Sequence, residues 1–113
     1  MPQSAPTTLS DWVRVRDSPI HGKGVFARRP IPHDTMIGVY AGAHVEHDGT
    51  YVLWVEEEDG LWRGVDGLNE LRFLNHSSKP NSQFNGDILF STRTIAAGEE
   101  LTIHYGDDWS DVD

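Results

Sequence analysis

A small, mainly β domain with little helix is the fold class this sequence predicts. Three observations point there. Six runs of four to eight residues are rich in β-branched and aromatic side chains and are bounded by Gly, Pro, Asn or Asp, the expected signature of strands. Helical signals are poor. The 113 residues contain no internal repeat and no dividing linker, so the chain fits one domain with one modest core.

The elements follow in order. "MPQSAPTTLS" (residues 1–10) reads as a flexible polar tail, without the basic and apolar regions of a signal peptide. The expected domain spans residues 11–109, with 110–113 as a second tail. "WVRVRD" (12–17) alternates apolar and polar residues, and "GVFARR" follows the turn "HGKG" (21–24). "RRPIPHD" places two prolines close together, which forbids a regular helix or a central strand there. "TMIGVYAG" (35–42) and "TYVLWVEE" (50–57) read as strands, and "EEEDG" (56–60) as a solvated hairpin tip. "GLNELRFLN" (67–75) is the best helical candidate, with Leu68, Leu71 and Leu74 spaced to bury one face. "DILFSTRTI" and "ELTIHYG" close the chain as strands, joined through "AAGEE" (96–100). The glycines of "HGKG" and "AAGEE" are expected where the backbone needs φ > 0.

Composition narrows the function. Nine Lys and Arg oppose 18 Asp and Glu, a formal net charge of −9. That field disfavours direct binding to nucleic acid or an anionic membrane, and it attracts a basic partner. No apolar run approaches the roughly 20 residues needed to span a bilayer. There are no cysteines, which removes disulfides and thiolate metal sites and suits a reducing, intracellular compartment. That compartment is the cytoplasm if the source is bacterial; nuclear and secreted-effector roles stay open. His44 and His47 are three apart and would point to opposite faces of a strand, so no metal site is expected. No G-x-S-x-G elbow supports a serine hydrolase.

Three polar constellations are candidates for chemistry. In "SPIHGKGVFA" (18–27), Gly22 and Gly24 flank Lys23, so the backbone can approach another group closely; a plain tight turn explains the segment as well. In "RFLNHSSKPN" (72–81), side-chain to backbone hydrogen bonds would explain Ser77 and Asn81. They explain the adjacent Asn75 and His76 less well. In "AAGEELTIHYGDDW" (96–109), a turn leads to a strand ending at Tyr105; a Tyr there is most often a half-buried residue with its hydroxyl at the rim.

Taken in order, the glycine turn, "VYAG", "RFLNHSSKPN" and "GEELTIHYG" resemble the SET-domain protein lysine methyltransferases. "NHSSKPN" matches the N-H-S-C-x-P-N pattern with Ser78 in place of cysteine, and "GEELTIHYG" matches G-E-E-L-x-x-D-Y with His104 in place of aspartate. The resemblance implies a β-clip-like arrangement of small sheets, with the C-terminal segment threaded as a pseudoknot beside residues 72–81. It implies S-adenosylmethionine as cofactor. The backbone around Gly22, Lys23 and Gly24 would hold its methionine end, Asn75 and His76 its ammonium and adenine groups, and Arg72 its carboxylate. Tyr105 matches the catalytic tyrosine, and Tyr40 an aromatic lining the lysine channel. Ile103 stands where many relatives carry the Phe or Tyr that limits the number of methyl groups added. Trp109 would pack over the adenine or close the channel, or else serve as a core or dimer-interface aromatic.

The chain resembles the minimal viral and bacterial members, without the zinc-bound segments of longer relatives. The implied partner is a protein with a basic, lysine-containing segment, and a homodimer could complete the groove. A SET-like module that binds without catalysing is the competing expectation.

Overall fold

The computed structural model describes residues 8–49 and 51–104. Among the described residues ten short strands form three small sheets, in keeping with the expected β class. A four-stranded sheet has the order β1 (Val13–Asp17), β2 (Lys23–Ala27), β10 (Glu100–Ile103), β7 (Asn75–His76). A second sheet contains β3 (Met36–Val39), β9 (Ile88–Ser91) and β8 (Ser82–Asn85). The third contains β4 (Gly42–Val45), β6 (Trp62–Gly67) and β5 (Val52–Glu56).

Inward-facing residues of these sheets and their connections build one core. Val13, Val25, Ile31, Leu89, Ile95 and Leu101 are all fully buried. Ile31, between the two prolines, makes an isolated antiparallel bridge with Ile95, each N–H donating to the other's carbonyl at 2.8 and 2.9 Å. One residue between prolines keeps its own donor, so a single bridge survives where a strand cannot. The two turns expected to need φ > 0 have it, at Gly22 (45°) and Gly98 (85°).

The elements depart from expectation at four places. The run 35–42 is not one strand: it breaks after Val39, and β3 and β4 belong to different sheets. Strand β6, "WRGVDG", is not among the expected runs, because Gly64 interrupts its alternation. The helical candidate shrinks to a single 3-10 turn at Glu70–Phe73. Leu71 and Leu74 are buried, whereas Leu68 is 70% exposed. The turn begins too late to bring Leu68 onto its buried side: Asn69 is extended, and its amide donates to the Val39 carbonyl at 2.7 Å. Finally, a helical turn absent from the expected elements, α1 (Leu9–Trp12), precedes β1. The Thr8 hydroxyl donates to the Asp11 carboxylate at 2.9 Å, and the Ser10 hydroxyl to Glu70 at 3.0 Å.

The topology positions the site. Strand β10 runs antiparallel to β2 on one side and parallel to β7 on the other, with Thr102 beside Asn75 and Ile103 beside His76. Two segments 27 residues apart in the chain (Thr102 beside Asn75, Ile103 beside His76) thus lie side by side, the juxtaposition of the two motifs.

Candidate functional site

The segment 72–81 divides its labour between architecture and site. Asn81 is almost fully buried. Its amide donates to the Glu100 carbonyl at 2.8 Å and to the Glu99 carboxylate at 3.1 Å, and its side-chain oxygen accepts the Thr102 N–H at 2.9 Å. One side chain therefore does for β10 what a neighbouring strand's peptide group would do. The Ser82 hydroxyl donates to the Thr102 carbonyl at 2.7 Å, and the Ser77 N–H to the Ile103 carbonyl at 2.9 Å. The Ser77 hydroxyl accepts the Lys79 N–H at 3.0 Å, a local turn bond. Ser77, Asn81 and Ser82 are explained as loop architecture.

Asn75 faces the glycine turn. Its amide nitrogen lies within 3.1 Å of four acceptors: the Ser18 hydroxyl, the His21 and Lys23 carbonyls, and Glu100 Oε2. It has two hydrogens to share among them, so the turn and β10 compete for one amide. Glu100 also accepts the Ser18 hydroxyl at 2.8 Å. The carboxylate lies directly over Gly24: a Cβ there would sit 2.2 Å from Glu100 Oε2. Glycine at 24 therefore admits the Glu100 carboxylate, which is a different reason from the approach to a ligand.

Beside this junction lies a cavity of about 1010 Å³, at the upper end of the roughly 300–1,000 Å³ usual for small-molecule sites. It brings together Lys23, Arg72, Asn75, His76, Tyr40 and Ile103 from the predicted set. Gly24 is not among its lining residues. Tyr105 and Trp109 lie outside the described residues.

Each wall has a distinct chemistry. The Arg72 guanidinium stacks 4.1 Å from the Tyr51 ring centroid and 5.4 Å from that of Phe73, which places a cation on aromatic faces. Its Nε is shielded from solvent and has no hydrogen-bond partner among the described residues. A buried donor of this kind calls for an anion or another acceptor. The Tyr40 hydroxyl donates to the Tyr51 carbonyl at 2.5 Å, and its ring meets Phe84 edge-on at 5.7 Å. The buried His76 ring packs edge-on against His104 at 4.8 Å. Lys23 contributes backbone to the site. Its ammonium turns away to Asp17 at 2.6 Å, and that hydrogen bond, with the attraction of the charge, holds the Asp17 carboxyl below its usual range.

The residues fit a cofactor that carries a carboxylate, an ammonium and a flat ring. Arg72 places a cation on the cavity wall, and the turn at 21–23 places carbonyls beside the Asn75 amide, each with a second lone pair for a further donor. Sequence reasoning missed Tyr51, Phe84 and Glu100. The run "TYVLWVEE" reads as a strand that includes Tyr51, whereas Tyr51 stands in the turn just before β5, and nothing local says that its ring carries an arginine from elsewhere in the chain. For Glu100, its place in "GEELTIHYG" was the available signal.

The parallel pairing of β7 with β10 beside this cavity joins the two motifs that resemble a SET domain, and the family description "SET domain" matches residues 22–106. The chain belongs to the SET-domain family. It is 30% identical over 113 residues to the Schizosaccharomyces pombe histone-lysine N-methyltransferase, H3 lysine-37 specific, covering 84% of this chain and 74% of that protein. It is also 30% identical over 123 residues to histone-lysine N-methyltransferase trithorax of Drosophila virilis, covering 87% of this chain and 3% of that one. Human histone-lysine N-methyltransferase EHMT1 shows 31% identity over 121 residues, covering 88% of this chain and 9% of the relative. The chain therefore spans most of one relative and a small part of the other two.

Proposed function

We propose that this protein transfers a methyl group from S-adenosylmethionine to the side-chain amine of a lysine in a protein substrate. The observation that carries the reading is the cavity of about 1010 Å³ that brings the Arg72 cation, Asn75 and His76 together with an aromatic wall beside the β7–β10 pairing. Family membership and the relatives' names support it.

When bound, S-adenosylmethionine supplies an electrophilic methyl on a sulfonium. The residues of this chain supply placement. Arg72 would pair with the cofactor carboxylate, and the carbonyls of the 21–23 turn, with Asn75 and His76, would take its ammonium and adenine. Gly24 serves this indirectly, by letting Glu100 seat beside Asn75.

On the acceptor side, an incoming lysine must present a neutral Nζ, although its ordinary pKa is about 10.4. A channel walled by Tyr40 and Ile103 removes water from the ammonium, and burial disfavours the charged form. In the proposed reading the Tyr105 phenol orients the amine, which converts a bimolecular encounter into a positioned one. The substrate class is a basic segment, steered by the negative field of the chain. The reading includes an intracellular location and, as the assembly to examine, a homodimer.

The test pairs binding with transfer. Calorimetry should show S-adenosylmethionine binding that weakens about 10- to 100-fold in Arg72→Met, the loss expected of one charge-assisted hydrogen bond. Labelled methyl should reach lysine in a basic protein mixture and fall sharply with Tyr105→Phe. Binding without transfer would leave a SET-like interaction module, and no binding would end the reading.

A further inference from the structure

The third sheet has a face that the proposed site does not use. In the β5–β6 pairing Trp54 stands opposite Gly64, and Glu56 opposite Trp62. Side chains alternate along a strand, so Trp54, Glu56 and Trp62 share one face, while Val55 and Val65 point into the core from the other. Trp62 is 61% exposed and Trp54 also reaches solvent. The Trp54 ring lies across the bare backbone of Gly64, where an added Cβ would come within 3.1 Å of it. Its indole N–H donates to Asp48 at 3.2 Å, which orients the ring.

The segment that carries this face is strongly acidic. Residues 43–67 contain seven carboxylates, at 46, 48, 56–59 and 66, against one basic residue, Arg63. Arg63 sits on the opposite face of the sheet, engaged by Glu57 at 2.6 Å and Asp87 at 3.4 Å. This segment therefore accounts for a net −6 of the −9 carried by the whole chain. Exposed indole faces attract cations through their quadrupole, and a surrounding negative field brings cations to them.

We propose that the outer face of the β4–β6–β5 sheet docks a lysine- and arginine-rich protein segment. Trp54 and Trp62 stack against its cationic side chains, and Glu56 with the hairpin-tip carboxylates gives sign selectivity. The proposal takes its substrate class from the reading above, but concerns binding outside the cavity. The two surfaces adjoin, because Tyr51, Val52 and Leu53 at the start of this hairpin line the cavity. A segment held on the sheet would keep a neighbouring lysine close to the channel, raising its effective concentration there. A second copy is a poor occupant of this face, since a twofold pairing would set carboxylates against carboxylates.

A dye-labelled oligo-arginine peptide tests the proposal, because it has no lysine for the channel. Fluorescence anisotropy should show saturable binding that weakens with added salt. Trp62→Ala should weaken it about two- to five-fold, the factor for one exposed cation–π contact, and Trp62→Phe should restore most of the loss. Glu56→Lys should weaken it at low salt, with the difference shrinking as salt rises. Arg72→Met, in the cavity, should leave it unchanged, so docking and methyl transfer can fail separately. Equal binding by the parent, Trp62→Ala and Glu56→Lys would overturn the proposal. So would equal binding of oligo-glutamate, or sedimentation showing that a second copy occupies the face.

Discussion

In the sheet β1–β2–β10–β7 polar side chains turn inward, whereas in the sheet β4–β6–β5 aromatic side chains turn outward. Around β10, Asn75, Asn81, Ser82 and Thr102 are all buried; the Asn75 amide bonds Glu100 and the Lys23 carbonyl, and Asn81 and Ser82 bond the backbone of β10. On the third sheet Trp54 and Trp62 meet solvent. The contrast follows from what each region must do. A strand inserted between two segments distant in the chain needs its register specified, and directional bonds to buried partners do that. A surface that meets a partner needs accessible apolar area and a consistent sign of charge, neither of which stabilises the monomer much.

The comparison breaks first at Asn81. Asn81→Leu should destabilise the protein by about 3 kcal/mol, because the Thr102 N–H and the Glu100 carbonyl would both lose a buried partner. Urea unfolding measures this directly, and a change below about 1 kcal/mol would show that β10 does not depend on the side-chain rung.

A smaller effect separates the same region by pH. Burial pushes the Glu99 carboxyl up, but bonds from the Ala96 N–H, the Asn81 amide and the Arg93 guanidinium outweigh it, so its net shift is downward. A carboxyl lowered by folding contributes its full stability above its unfolded pKa and loses it as the pH falls through the folded one. The advantage of the parent over Glu99→Gln should therefore be present at neutral pH and fade across the acid range below the ordinary glutamate value. Urea midpoints at several pH values, with both proteins fading equally as the opposing result, decide the matter.

The smallest effect is expected on the outward face. Trp62→Ala should change stability by no more than about 0.5 kcal/mol, as is usual for exposed positions, while the docking measurement responds. A loss as large as that of Asn81→Leu would make Trp62 a fold residue and remove the contrast.

Much of the site was legible because it is written in two contiguous motifs. The pairing of Asn75 and His76 with Thr102 and Ile103 follows from recognising "RFLNHSSKPN" and "GEELTIHYG" as parts of one arrangement. The architectural roles of Ser77 and Asn81 were readable from their ability to bond backbone locally. The role of Gly24 was not: the position reads as freedom to approach a ligand, and the structure gives it to the Glu100 carboxylate. Nor does spacing by three identify which leucines of 67–75 are buried, since that depends on where the short turn starts.

By itself the sequence determined the β class, the turn positions and the acidic field, because alternation, backbone freedom and charge are local properties. Tertiary structure alone decided that the run 35–42 divides between two sheets, that the Arg72 cation rests on Tyr51, and that Trp54 and Trp62 share an outward face. Each of these depends on which distant backbone supplies a strand's hydrogen-bond partner, and local patterns of side chains do not encode that choice.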